Sequence, residues 1–190
     1  IEYQKLLVID IALGFFEKNP ACPEVFKIKT ELANVGALDD VVVELGNVRE
    51  VKFYQVKHHY LGTKGDKYTF AALTNTAKKG HKKRVELHHF FEGWLKHIDG
   101  KFNNYECILF SNHDAAQNLQ ECLERNGKFS SNFIDNVGLK KGQKEKRKQV
   151  FDSIKASVPE ATDDSIKKFL RIFKFSLNEP ERKEYESQLR

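Results

Sequence analysis

A chain of 190 residues with 40% hydrophobic side chains, fifteen of them phenylalanine, can build one domain-sized core without disulfide or metal staples, despite 31% charge. Its formal net charge of +5 allows an anionic partner but falls short of a dedicated nucleic-acid tail. No apolar run reaches the ~18–20 residues of a membrane span, and Cys22, Cys107 and Cys122 show no CxxC spacing, so neither a disulfide framework nor a zinc knuckle is indicated. The expectation is an intracellular domain, cytoplasmic or nuclear, that is neither secreted nor bound to a membrane. With Ile1 at its start and no methionine, the chain reads as a fragment of a larger protein. Further domains of that protein are expected partners, and homo-oligomerisation is left open.

Leu6, Leu7, Ile9, Ile11, Ala12, Phe15 and Phe16 recur at helical spacing and stop at Asn19-Pro20, which predicts an opening helix. The period then changes to two. Residues 25–32, the valine-rich 40–45 and 51–58 alternate or run apolar between turn signals at Asn34-Val35-Gly36 and Gly46-Asn47, predicting a three-strand antiparallel meander. Residues 60–80 read as a loop with one helical turn near 70–75, and 85–98 as an aromatic-rich helix. The apolar run 105–111 predicts a central strand, and a helix over 115–125 follows. A helix between two strands implies a crossover, which lets the fourth strand run parallel to the third. Beyond Gly127 come the lysine-rich stretch 140–148 and helices over 149–158 and 163–175, the second with Ile166, Phe169, Leu170 and Phe173 as its stripe. The predicted class is α/β: a mixed sheet flanked by helices, with a core over 1–126 and a lysine-rich helical extension over 127–190 packed on it.

The chemistry concentrates in the hairpin. If its connection spans about residues 46–50, Asp40 lies across from Gln55 and Val56, and alternation puts Gln55 and Lys57 on one face. An acid, an amide and an ammonium then meet at one spot, which is what a divalent metal and an attacked phosphate require. Mg²⁺ or Mn²⁺ takes oxygen ligands, with only one or two carboxylates. Asp40 is the carboxylate ligand, Gln55 a neutral oxygen and the Val56 carbonyl a third. Lys57 orients the attacking water or stabilises charge in the transition state.

The order carboxylate, spacer, Gln-x-Lys across a strand hairpin, after a helix and before a helix and strand, resembles the PD-(D/E)xK restriction-endonuclease-like superfamily. Asp39-Asp40 followed by valines and Tyr54-Gln55-Val56-Lys57-His58 is similar to the N-terminal nuclease domains of bacterial antiphage effectors and of some multidomain immune-type proteins. The specific motif covers about residues 38–59. On that resemblance Asp40 takes the place of the metal-binding aspartate and Lys57 that of the family lysine. Gln55 stands where most members carry glutamate, and no proline precedes Asp39 or Asp40. The implied activity is metal-dependent hydrolysis of DNA by the effector domain of a defence or immune-type protein. RNA remains open as a substrate, because the chemistry does not depend on the sugar. The alternative is a restriction-like fold without catalysis that binds nucleic acid or another protein.

A further acid often completes such sites. Glu17 near the end of the opening helix, Glu31 on the first strand and Asp39 are the candidates, and the sequence does not choose among them. His58 or His59, next to Lys57, could touch a phosphate or shuttle a proton. Lys82, Lys83 and Arg84, with Lys146, Arg147 and Lys148, are the clustered positive charge expected to contact a nucleic-acid backbone without reading bases.

Overall fold

The computed structural model describes residues 2–18, 26–30, 38, 40–45, 50–57, 67–76 and 86–177. Helix α1 (Glu2–Lys18) is followed by strands β1 (Phe26–Thr30), β2 (Val41–Leu45) and β3 (Glu50–Lys57), which pair antiparallel in chain order. Helices α2 (Phe70–Leu73) and α3 (Leu87–His97) cross to β4 (Asn104–Ser111), which lies parallel to β3. Four helices come next: α4 (Gln117–Gln120), α5 (Ser131–Asp135), α6 (Lys141–Ser157) and α7 (Asp163–Ile172). The last leads directly into β5 (Phe173–Ser176), parallel to β4. The protein is thus α/β, a five-stranded mixed sheet in the order β1-β2-β3-β4-β5 flanked by helices.

Side-chain alternation explains why the sheet is covered on both faces. Val41, Val42 and Val43 are all buried: Val42 joins the larger core, while Val41 and Val43 pack with Leu7 of α1 and Phe110. An apolar run without alternation is what such a doubly covered strand requires. In β3, Val51, Phe53 and Gln55 are buried and the residues between them half-exposed. Over the larger core, Trp94 of α3 packs against Phe91 and Phe169 and satisfies its indole by donating Nε1–H to Tyr105 Oη at 3.1 Å. Among the described residues no helix is long and apolar enough to cross a membrane.

The second half departs from the expected elements in four places. The helix expected over 115–125 shrinks to α4, because Tyr68 takes up the preceding chain: its N–H donates to Asp114 O at 2.9 Å and its carbonyl accepts from Ala116 N–H at 2.8 Å. Helix α5 was not expected. It is started by Ser130, whose hydroxyl accepts from Phe133 N–H, and stopped by Asn136 in the left-handed region at φ 61°. Helix α6 starts at Lys141, inside the lysine stretch and well before residue 149, since lysine, glutamine and glutamate favour helix even where only Val150, Phe151, Ser153 and Ile154 are buried. The helix expected to reach residue 175 ends at Ile172. Phe173-Lys174-Phe175-Ser176 then alternates as a strand, its two phenylalanines buried in the larger core. The segment expected as an extension therefore completes both the sheet and the core.

Candidate active site

The β2–β3 register pairs Val41 with Tyr54 and Val42 with Phe53, so one step further sets Asp40 opposite Gln55. Asp40 is half-buried and Gln55 is buried. Three N–H donors converge on the Asp40 carboxylate. Gln4 Nε2 of α1 reaches Oδ1 at 2.7 Å, while the Val56 main-chain N–H at 2.7 Å and the Gln55 side-chain amide both donate to Oδ2. Three such donors fix the orientation of the carboxylate.

Lys57 follows at the end of β3. It shares the face of Gln55 by alternation and lies beside Ser111 of the parallel β4. The lysine is half-buried and forms no hydrogen bond or ion pair with a described residue. Its neighbour Ser111 is fully buried, accepting from Tyr68 O–H at 3.0 Å and His113 N–H at 3.2 Å. These hydroxyls anchor the crossover to the same end of the sheet as Asp40.

The donor set fits a hard divalent cation. Among the described residues no group of three or more His, Cys, Asp or Glu forms, so a cation here would take one carboxylate with amide and main-chain oxygens. Mg²⁺ accepts such a sparse set because it keeps most of its own water. Rotation of the Gln55 amide offers Oε1 in place of Nε2. Val56 meets Asp40 through its N–H; its carbonyl leaves the same edge of the strand and so stays on the β2 side.

Other candidates are placed differently. Arg147 is bound into the fold: Nε and Nη2 donate to Ile134 O at 3.2 and 3.0 Å, and the guanidinium stacks on Phe151 at 3.9 Å from the ring centroid. Lys146 leans over Phe70 at 5.8 Å and Lys148 pairs with Asp152. Consecutive helical positions diverge by about 100°, so these three present no single basic face. Glu17 lies on α1, its side chain outside the described residues, as are Glu31, Asp39, His58, His59, Lys82, Lys83 and Arg84. Gln4, which the sequence pattern did not single out, is the added member of the Asp40 cluster. No known protein family and no curated protein matches this chain.

Tyr68 yields a pH prediction. Burial pushes its phenol from 10.0 up to about 12, against the opposing hydrogen bond with Ser111. The unfolded chain therefore loses this proton first, and stability falls as pH rises from the unfolded toward the folded pKa, by about 1.4 kcal/mol per pH unit, with no contribution below that window. Tyr68→Phe is expected to cost about 1 kcal/mol at neutral pH and to flatten the alkaline slope. Urea melts of both proteins from pH 8 to 11.5 measure it. Parallel losses in the two proteins would refute the assignment, since Tyr105, Cys107 and Cys122, also shifted up, contribute equally to each.

Proposed function

We propose that this protein is a metal-dependent nuclease domain of restriction-endonuclease-like fold that hydrolyses DNA phosphodiester bonds, acting as the effector of a larger defence or immune-type protein. The observation that supports the reading is the meeting of Asp40, Gln55 and Val56 at the end of the hairpin, with Lys57 on the same face and uncommitted to the rest of the described structure. Asp40 and Gln55, with the Val56 carbonyl, hold Mg²⁺ or Mn²⁺. When bound, the cation polarises the phosphoryl oxygen and makes water a stronger nucleophile. Lys57 directs its ammonium to the reacting phosphate, where it offsets charge that grows in the transition state. Gln4 and the Val56 N–H hold the Asp40 carboxylate in one orientation, so the ligand is preorganised.

The second reading, a restriction-like module that binds without cleaving, draws on the same cluster. One carboxylate with three N–H donors is a closed hydrogen-bond arrangement that persists without a metal. Incubating the purified protein with supercoiled plasmid and Mg²⁺ or Mn²⁺ separates the two. Nicked and linear products that vanish with chelator and in Asp40→Asn are expected. An intact plasmid and an intact RNA substrate, together with retained binding, would establish the second reading.

A further inference from the structure

Glu86 precedes α3 and is 8% exposed, yet its carboxylate makes no capping hydrogen bond to its own helix, and Oε2 has no hydrogen-bond partner among the described residues. An acid at a helix N-cap ordinarily accepts a main-chain N–H of the first turn. A buried carboxylate oxygen without such a donor carries a desolvation cost that a donor or a cation would offset.

The packing of α3 on the sheet gives the level at which its N-terminus lies. Trp94 Nε1 reaches Tyr105 of β4 at 3.1 Å, and one turn earlier the Phe90 ring packs 5.4 Å from Phe173, whose register partner on β4 is Cys107. Helix and strand thus run antiparallel, four helical residues matching two strand residues, about 6 Å against about 6.6 Å. One more turn toward the helix N-terminus reaches Glu86. Two more strand residues reach Leu109, the register partner of Gln55. Residues of α3 share one core with Val51 and Phe53, whose face of β3 Gln55 continues. By this count Glu86 comes to the level of Gln55 along the strands, on the sheet face that Gln55 shares with Val51 and Phe53.

We propose that Glu86 is a second carboxylate ligand, with Asp40, for the divalent cation at this site. The proposal rests on the metal-dependent reading above. Two carboxylates from different elements, one amide and water make an oxygen set of the kind Mg²⁺ and Mn²⁺ accept, and the cation meets the bare Oε2.

Calorimetric titration of the metal-free protein with Mn²⁺, without nucleic acid, tests it, with thermal melts of each variant before and after Mn²⁺. Wild type should bind Mn²⁺, Asp40→Asn should lose the site, and Glu86→Gln should weaken it by about tenfold or more. The metal-free melting temperature of Glu86→Gln should stay level or rise, because no hydrogen bond to Oε2 is lost, while the upward shift caused by Mn²⁺ shrinks. Wild type that binds no Mn²⁺ overturns this proposal together with the metal-dependent reading. If wild type binds, Asp40→Asn does not, and Glu86→Gln titrates like wild type, only the Glu86 assignment falls. It falls equally if Glu86→Gln cleaves poorly yet keeps wild-type Mn²⁺ affinity. Should Glu86→Gln fail to fold, Glu86→Asp keeps the charge but shortens its reach by one methylene. Weakened Mn²⁺ binding in that variant supports the ligand role, and unchanged binding overturns it.

Discussion

Replacing Lys57 with alanine is expected to lower the cleavage rate constant by about 10²–10³-fold while duplex affinity and melting temperature stay near wild type. The residue ends β3, is half-buried, and holds nothing else together among the described residues, so its removal leaves no orphaned partner in the fold. A group that acts on transition-state charge lowers kcat and kcat/KM equally, whereas one that only binds substrate raises KM. Single-turnover cleavage of a labelled duplex, with binding measured in Ca²⁺ or chelator, makes the distinction. Wild-type cleavage by Lys57→Ala would move the chemistry elsewhere. Loss of affinity with an unchanged rate constant would make the lysine a ground-state phosphate contact.

Much of this arrangement was legible because a hairpin converts counting into geometry. With β2 and β3 adjacent and antiparallel, the spacing between Asp40 and Gln55 sets them opposite each other, and alternation carries Lys57 to the face of Gln55. Gln4 was not legible. Its bond to Asp40 joins residues 36 apart and depends on how α1 seats on the sheet, for which an apolar helix with Ile9 and Leu13 left exposed carries no directional signal. Glu86 was hidden for a different reason: an acid just before a helix reads as an ordinary cap, and only the structure shows that it does not cap. The lysine-rich run concealed a similar difference, since composition cannot tell that Arg147 turns inward to Ile134 O while Lys148 faces solvent. At the end of α7 two periods share one residue. Phe173 continues the stripe of Ile166, Phe169 and Leu170 at helical spacing and also begins the alternation with Phe175, so a four-residue strand was absorbed into the helix.

That short strand leads to the largest expected loss of stability. Gly127 sits at φ +82°, and its carbonyl accepts the Phe175 N–H at 3.0 Å, which holds β5 against the turn before α5. A Cβ at this position would stand 2.0 Å from the Phe175 carbonyl oxygen, a main-chain atom that cannot swing aside. Gly127→Ala therefore incurs two penalties: about 1–2 kcal/mol for an L-residue in the left-handed region, and the displacement of β5 from its place beside β4. A total of about 3–4 kcal/mol is expected, lowering the melting temperature of a chain this size by roughly 6–16 °C. Gly138 supplies the control. It too has a positive φ, +64°, but an added Cβ meets nothing within 4 Å, so Gly138→Ala should carry only the conformational part. Chemical denaturation of the two variants side by side measures the difference, which is the energetic weight of the contact between the Gly127 turn and β5. Equal losses would mean that β5 can leave the turn freely. A much larger loss at Gly127 would make the C-terminal strand integral to the sheet, with Phe173 and Phe175 anchoring the core on which α3 packs.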